Sequence, residues 1–183
     1  DLFIGCAEIA KQELGHGEAL KRSAELLKDG IKPVFEAGLS TDGALAYADV
    51  MLPDKSQGTL RWRMIEVKSS TGVKDYHQDD IAVQTYIAAA AGVPLASVSL
   101  AHIDNEFVYQ GGGDYQGLLR EVDLTAQALA RHDEVKAWIA DAHVVAASKA
   151  EPEVDTGPHC NTPFTCGFCE YCNVGKVLPE YPL

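Results

Sequence analysis

The period of the apolar positions changes several times along the chain. In residues 3–28, Ile4, Ile9, Leu14, Leu20, Leu26 and Leu27 are spread among Glu and Lys, the spacing of an amphipathic helix. Gly15 and Gly17 predict a break within it, and Asp29-Gly30 a stop. Three strand patterns follow: Lys32–Leu39, Ala44–Leu52 and Leu60–Lys68. Thr41-Asp42-Gly43 makes the first two a hairpin, and Pro53–Gly58 is expected as a polar loop. Residues 69–78 predict another polar loop. A helix is expected over Asp79–Ala91, capped by Asp79 or Asp80 and ended by Gly92-Val93-Pro94. Ala96–Ile103 and Glu106–Tyr109 read as two more strands around Asp104-Asn105. Gly111-Gly112-Gly113 breaks the chain, and a long amphipathic helix is expected across much of Asp123–Lys149. From Glu151 onward the chain is rich in Pro, Gly and Cys and has no period.

This order predicts a mixed α/β core with one central sheet over residues 1–150. Residues 151–183 are expected to form a Cys-rich, metal-binding tail packed on that core. A chain of 183 residues can bury a core of its own. It opens on Asp1-Leu-Phe-Ile rather than Met, as a piece of a longer chain with further domains would. No stretch reaches the roughly 18–20 apolar residues of a membrane helix, and no signal peptide is visible. The expectation is a cytoplasmic protein with no membrane partner. The net charge of −12 argues against a protein that coats nucleic acid. It leaves room for an enzyme with a local basic path and a metal.

The candidate chemistry lies in the strands. Asp49 sits in the apolar stretch Ala44–Leu52, and Glu66-Val67-Lys68 ends the next one. In a strand, Glu66 and Lys68 share a face and Val67 points the other way, into apolar packing. Two carboxylates with an ammonium suit a hard divalent cation and a phosphodiester. An E-x-K triplet alone is most often a solvated strand face; its weight here comes from Asp49 one strand earlier. Glu36, on the strand before that, is a further candidate ligand. On the following helix Asp80 and Gln84, four apart, share a face. Arg61 and Arg63 lie opposite Glu66 and are expected to pair with surface acids. His77 reads as a solvated loop residue, and Trp62 and Trp138 as core.

With its Asp49 and Ile65-Glu66-Val67-Lys68-Ser-Ser70, this order of elements resembles the PD-(D/E)xK nuclease superfamily. The likeness is to its RecB-like exonuclease branch, including the CRISPR-associated members. The resemblance implies a restriction-endonuclease-like core, a central mixed sheet flanked by helices. It implies a metal-dependent deoxyribonuclease, an exonuclease, acting on DNA. Asp49, Glu66 and the Val67 carbonyl would hold Mg²⁺ or Mn²⁺, with Glu36 as an added ligand, and Lys68 and Gln84 would complete the catalytic set. Two departures stand out. The family's Gln and Tyr lie four apart, whereas Gln84 and Tyr86 lie two apart and cannot share a helix face. The family's helix His after a Gly is missing, since Gly5 is followed by Cys6-Ala7-Glu8. The alternative is a catalytically inactive nuclease fold serving as a DNA-binding or scaffold module.

Four of the five cysteines fall within thirteen residues: Cys160, Cys166, Cys169 and Cys172. The C-x2-C-x2-C run repeats the first three ligands of a ferredoxin-type [4Fe–4S] loop. Cys160 or Cys6 would be the fourth ligand. Zinc is the competing occupant, with four thiolates or with three and His159. CRISPR-associated RecB-like nucleases resemble this arrangement, with one cysteine before the nuclease motifs and several after them. Gly157-Pro-His159-Cys160, followed by Cys166 and Cys172, is also similar to a bacterial family that joins a RecB-like nuclease domain to a further C-terminal domain.

Overall fold

A computed structural model describes residues 5–41 and 43–174. The chain divides into two compact units, Asp1–Ala140 and Asp141–Leu183. The first is built on a six-stranded mixed sheet whose spatial order equals the chain order. β1 (Ala7–Glu8) runs parallel to β2 (Val34–Thr41) through the crossover helix α1 (Lys11–Asp29). β2, β3 (Ala44–Asp54) and β4 (Arg61–Lys68) form an antiparallel meander. A second crossover helix, α2 (Asp75–Ala90), leads to β5 (Leu95–Ile103), parallel to β4. β6 (Leu119–Asp123) closes the sheet antiparallel to β5. α3 (Thr125–Ala130) follows, then α4 (His132–Ala147), within which the division between the units falls. Among the described residues no helix is long and apolar enough to cross a membrane.

Both crossover helices cover the same face. The ladder sets Gly38 opposite Tyr47 and Met51 opposite Met64, so Gly38, Met64 and Glu66 look the same way. A Cβ on Gly38 would come within 3.2 Å of Leu20, so α1 lies directly over it. Buried Ser23 of α1 accepts the Gly38 N–H at 2.8 Å and donates to Ala19 O at 2.7 Å. α2 packs across β2, β3 and β5 on that face. Between helices and sheet lie Leu27, Val34, Met51, Trp62, Met64, Ile81, Ile87, Val98 and Leu100.

Several expectations are corrected by packing. α1 starts at Lys11 rather than at residue 3, because Ala7–Glu8 pairs with β2; residues 1–4 lie outside the described chain. The expected break is present, since Gly15 has φ 74° and ψ 161°. Pro53 and Asp54 extend β3 opposite Trp62 and Arg61 instead of forming loop. α2 begins four residues before Asp79, so neither Asp79 nor Asp80 caps it. His77 performs that work: its Nδ1 accepts the Lys74 N–H at 3.2 Å, and its ring is buried rather than solvated. Residues 106–109 form no strand, and β6 takes their place beside β5. The long C-terminal helix is two, broken at Arg131. Trp62 is core, but Trp138 is 38 % exposed and carries the Arg131 guanidinium 5.0 Å above its ring.

In the second unit, beyond the end of α4, a 3₁₀ turn (Pro158–Cys160) and the short helix α5 (Cys169–Cys172) interrupt an otherwise irregular backbone among the described residues.

Candidate active site

Asp49 and Glu66 meet where the meander comes apart. The β3–β4 ladder stops at Val50↔Ile65. Beyond that pair the Asp49 carboxylate replaces a strand carbonyl, its Oδ2 accepting the Val67 N–H at 2.7 Å. β4 meanwhile stays paired with β5 through Lys68↔His102. The site therefore sits at the C-terminal end of β4, where one neighbour has let go and α2 passes overhead.

Glu66 is buried, with both oxygens engaged. Lys68 Nζ donates to Oε1 at 2.7 Å, and Gln84 Nε2 donates to Oε2 at 2.9 Å. Lys68 also donates to Asp80 Oδ2 at 2.5 Å, and Gln84 to Asp80 Oδ1 at 3.2 Å. Two donors thus bridge two acids across strand and helix. Gln84 is fixed with its amide nitrogen toward both carboxylates, which leaves its Oε1 buried and without a partner. A buried acceptor without a donor costs about 1–3 kcal/mol.

The electrostatics follow from this crowding. Burial, then the charge of Asp49, pushes Glu66 up to about 6 against the pull of Lys68 and Gln84. Burial, together with Glu36, also raises Asp49, opposed by the Val67 N–H and Lys68. Burial works against the Lys68 charge, but its bonds to Asp80 and Glu66 outweigh that and hold its pKa above the ordinary lysine value. Burial, with the charges of Lys68 and Lys74, lowers His77, so it is neutral at pH 7.

Asp49, Glu66, Lys68 and Gln84 are thus brought together. Glu36 is placed beside them, because the pairs Phe35↔Val50 and Ala37↔Ala48 set it opposite Asp49. Its carboxylate bonds Lys11 Nζ at 2.7 Å. The Val67 side chain is 38 % exposed instead of packed inward. Arg63 pairs with Glu121 as expected, while Arg61 donates to Leu95 O. Tyr86 turns away from the acids and meets the His132 ring edge-on at 5.7 Å. Asp80 and Lys11 are neighbours of these acids that sequence reading undervalued. Asp80 carried a signal, its four-residue step to Gln84; Lys11 carried none.

A divalent cation suits this end of the sheet on two observations: carboxylates whose charged forms are disfavoured, Glu66 by burial and by Asp49, Asp49 by burial and by Glu36, and an orphaned acceptor on Gln84. Among the described residues, no three His, Cys, Asp or Glu side chains are gathered tightly enough to hold an ion by themselves. Asp49 and Glu66, with the Val67 carbonyl, are the groups that would hold it.

In the second unit Cys160 is buried and Cys166, Cys169 and Cys172 are half-buried, all as free thiols. Three sulfurs lie near N–H donors: Gly157 N to Cys160 Sγ at 3.5 Å, Phe168 N to Cys166 Sγ at 3.4 Å, and Asn173 Nδ2 to Cys169 Sγ at 3.7 Å. The donor chemistry fits a metal, although the four sulfurs are not drawn into a holding geometry. Cys6 belongs to the first unit.

The class defined by fold and site is a mixed α/β protein with a carboxylate–lysine–amide cluster at the open end of its sheet. No protein-family model matches the chain, and no curated protein matches it. A solved structure titled "Crystal structure of SSO0001" is similar at 15% identity, over 70% of this chain and 61% of that one, with a TM-score of 0.30.

Proposed function

We propose that this chain is a Mg²⁺- or Mn²⁺-dependent deoxyribonuclease of the PD-(D/E)xK, RecB-like type, acting as an exonuclease. The observation that carries the reading is the hydrogen-bonded cluster of Glu66, Lys68, Gln84 and Asp80, with the Asp49 carboxylate beside it on the Val67 N–H. A bound divalent ion would supply Lewis-acid polarisation of the phosphate and a more acidic water. Asp49 and Glu66 would hold that ion with their carboxylates. Gln84 fixes the Glu66 rotamer from α2. Lys68 is no general base, since two carboxylates keep it protonated; it neutralises charge growing on the phosphate oxygens as water attacks phosphorus and the P–O bond to the leaving sugar breaks. Asp80 aims Lys68. The cysteines of the second unit, as a [4Fe–4S] or zinc staple, order a segment with few apolar residues.

Purified protein with Mn²⁺ and end-labelled single- and double-stranded DNA tests this. Wild type should shorten the label from an end, and Asp49→Ala should lose at least 100-fold of that rate (an order-of-magnitude expectation for removing a site carboxylate). Equal behaviour of the two proteins would sink catalysis and leave the scaffold alternative.

A further inference from the structure

The loop between β5 and β6 carries an aromatic pair that neither the core nor the candidate site uses. Tyr109 and Tyr115 stack with ring centroids 4.9 Å apart and planes 10° from parallel. Neither belongs to the core cluster, and they stay 48 % and 59 % exposed. The loop is shaped around them. Gly111, Gly112 and Gly113, all at positive φ, turn the chain back between the two tyrosines. Tyr109 Oη accepts the Gly113 N–H at 2.8 Å, and the Leu118 N–H donates to Tyr115 O at 3.0 Å. A Cβ on any of the three glycines would meet nothing within 4 Å, so they serve the turn and leave room beside the backbone.

The place of the loop in the fold is a second observation. β4 and β5 run parallel, with Lys68 opposite His102. The loop begins immediately after Ile103 and ends at Leu119, which pairs with Ile103. Neighbouring strands lie about 4.8 Å apart, so the loop is rooted roughly 5–10 Å from the Lys68 backbone. That is the end of the sheet that holds Asp49 and Glu66. The charge of the loop narrows what it can take. Its acids are Asp104, Glu106 and Asp114, and from Asp104 to Leu118 it has no Lys or Arg. Arg120 of β6 meets Asp104 at 2.9 Å and Glu106 at 4.0 Å, and Asp114 accepts the Gln116 N–H at 2.9 Å. Phosphate is therefore not what this loop grips; a flat, uncharged π-face is. Every nucleobase has such a face, open in an unpaired strand and covered by its neighbours in a duplex.

We infer that Tyr109 and Tyr115 form a stacking platform for a nucleobase of single-stranded DNA, placed to guide an unpaired end to the acids at the end of β4. The guiding role rests on the nuclease reading above; the binding role does not.

A short single-stranded DNA carrying a fluorescent aminopurine base, titrated with the whole chain in buffer without added Mg²⁺ or Mn²⁺, tests the platform without turnover. Stacking should quench the fluorescence. Tyr109→Ala and Tyr115→Ala should each weaken binding roughly 5- to 150-fold, the span of one base–aromatic stack, and Tyr115→Trp should keep it. The same sequence as a blunt duplex should not compete. The logarithm of the binding constant should fall with the logarithm of salt concentration at a slope no steeper than about −0.7, one phosphate contact. Far-UV circular dichroism checks that each variant is folded. An unquenched signal with folded wild type, alanine variants that bind as wild type does, competition by the duplex or a steeper slope overturns the platform and leaves the catalytic reading standing. Tyrosine-dependent binding by a wild type that cleaves no DNA with Mn²⁺ keeps the platform and removes the catalytic reading.

Discussion

Glu66 carries a stability cost. Its pKa stands at about 6 in the fold against an ordinary 4.5. A raised carboxylate stabilises the fold fully below the unfolded pKa and loses that contribution as pH rises through the folded one. Metal-free wild type should therefore lose roughly 2 kcal/mol between about pH 4 and pH 7 from this residue. His77 acts in the opposite sense, its lowered pKa favouring the fold above the unfolded value, but it is present in both proteins of the comparison. Urea denaturation of wild type and Glu66→Gln across that range should show the two curves diverging toward neutral pH, with the variant the more stable there. Parallel curves would mean that the burial of Glu66 is relieved in solution. Glu36 makes a second residue-scale case. At φ 55° alanine is strained and glycine is not, so Glu36→Gly should be about 1 kcal/mol more stable than Glu36→Ala. The same two replacements at an ordinary strand position would fall in the reverse order.

At the scale of elements, the packing of α1 on β2 depends on one hydroxyl. Ser23 accepts the Gly38 N–H and returns its own proton to Ala19 O, in a fully buried setting. Ser23→Ala should cost about 1–3 kcal/mol by leaving that N–H unpaired, read as a lower denaturation midpoint with an unchanged m-value. Gly30 ends α1 at φ 62°, and a Cβ there would collide with the Leu60 side chain. Gly30→Ala should be destabilising, and Leu60→Ala beside it should relieve the collision but not the roughly 1–2 kcal/mol backbone strain. Element positions were legible where composition punctuates the chain: Asp29-Gly30, the Thr41–Gly43 hairpin, Gly92-Val93-Pro94. They were not legible at α2, because residues 75–78 are polar yet are wound into helix by the His77 contact with Lys74 and by burial of the ring. Nor was β6 legible, since its pairing with β5 decides it and its own residues are mostly exposed.

For the whole molecule, the net charge of −12 concentrates part of its repulsion at the end of β4. A bound divalent ion should raise the melting temperature at neutral pH. At a hundredfold excess over the dissociation constant, the gain is about 2.7 kcal/mol. Asp49→Asn should abolish that rise in a thermal scan with and without Mn²⁺, while melting no lower than wild type in metal-free buffer. Anaerobic metal analysis should find iron and visible charge-transfer absorption for a cluster on Cys160, Cys166, Cys169 and Cys172, or stoichiometric zinc in a colourless protein. A chain with neither metal would remove the staple.

The local rules of the chain were enough for the acids and the lysine: a period of two places Glu66 and Lys68 on one face, and a hairpin brings Asp49 alongside. They were enough, too, for the alternation of helix and strand that yields a mixed sheet. Tertiary structure alone decided which charges neutralise which. Asp80 reaches Lys68 only because α2 crosses β4, and Lys11 reaches Glu36 only because β1 and α1 wrap against β2. Those contacts span 12 and 25 residues, far beyond any periodicity. The side-chain pattern records which way a residue faces, whereas its partner is chosen by how the elements pack.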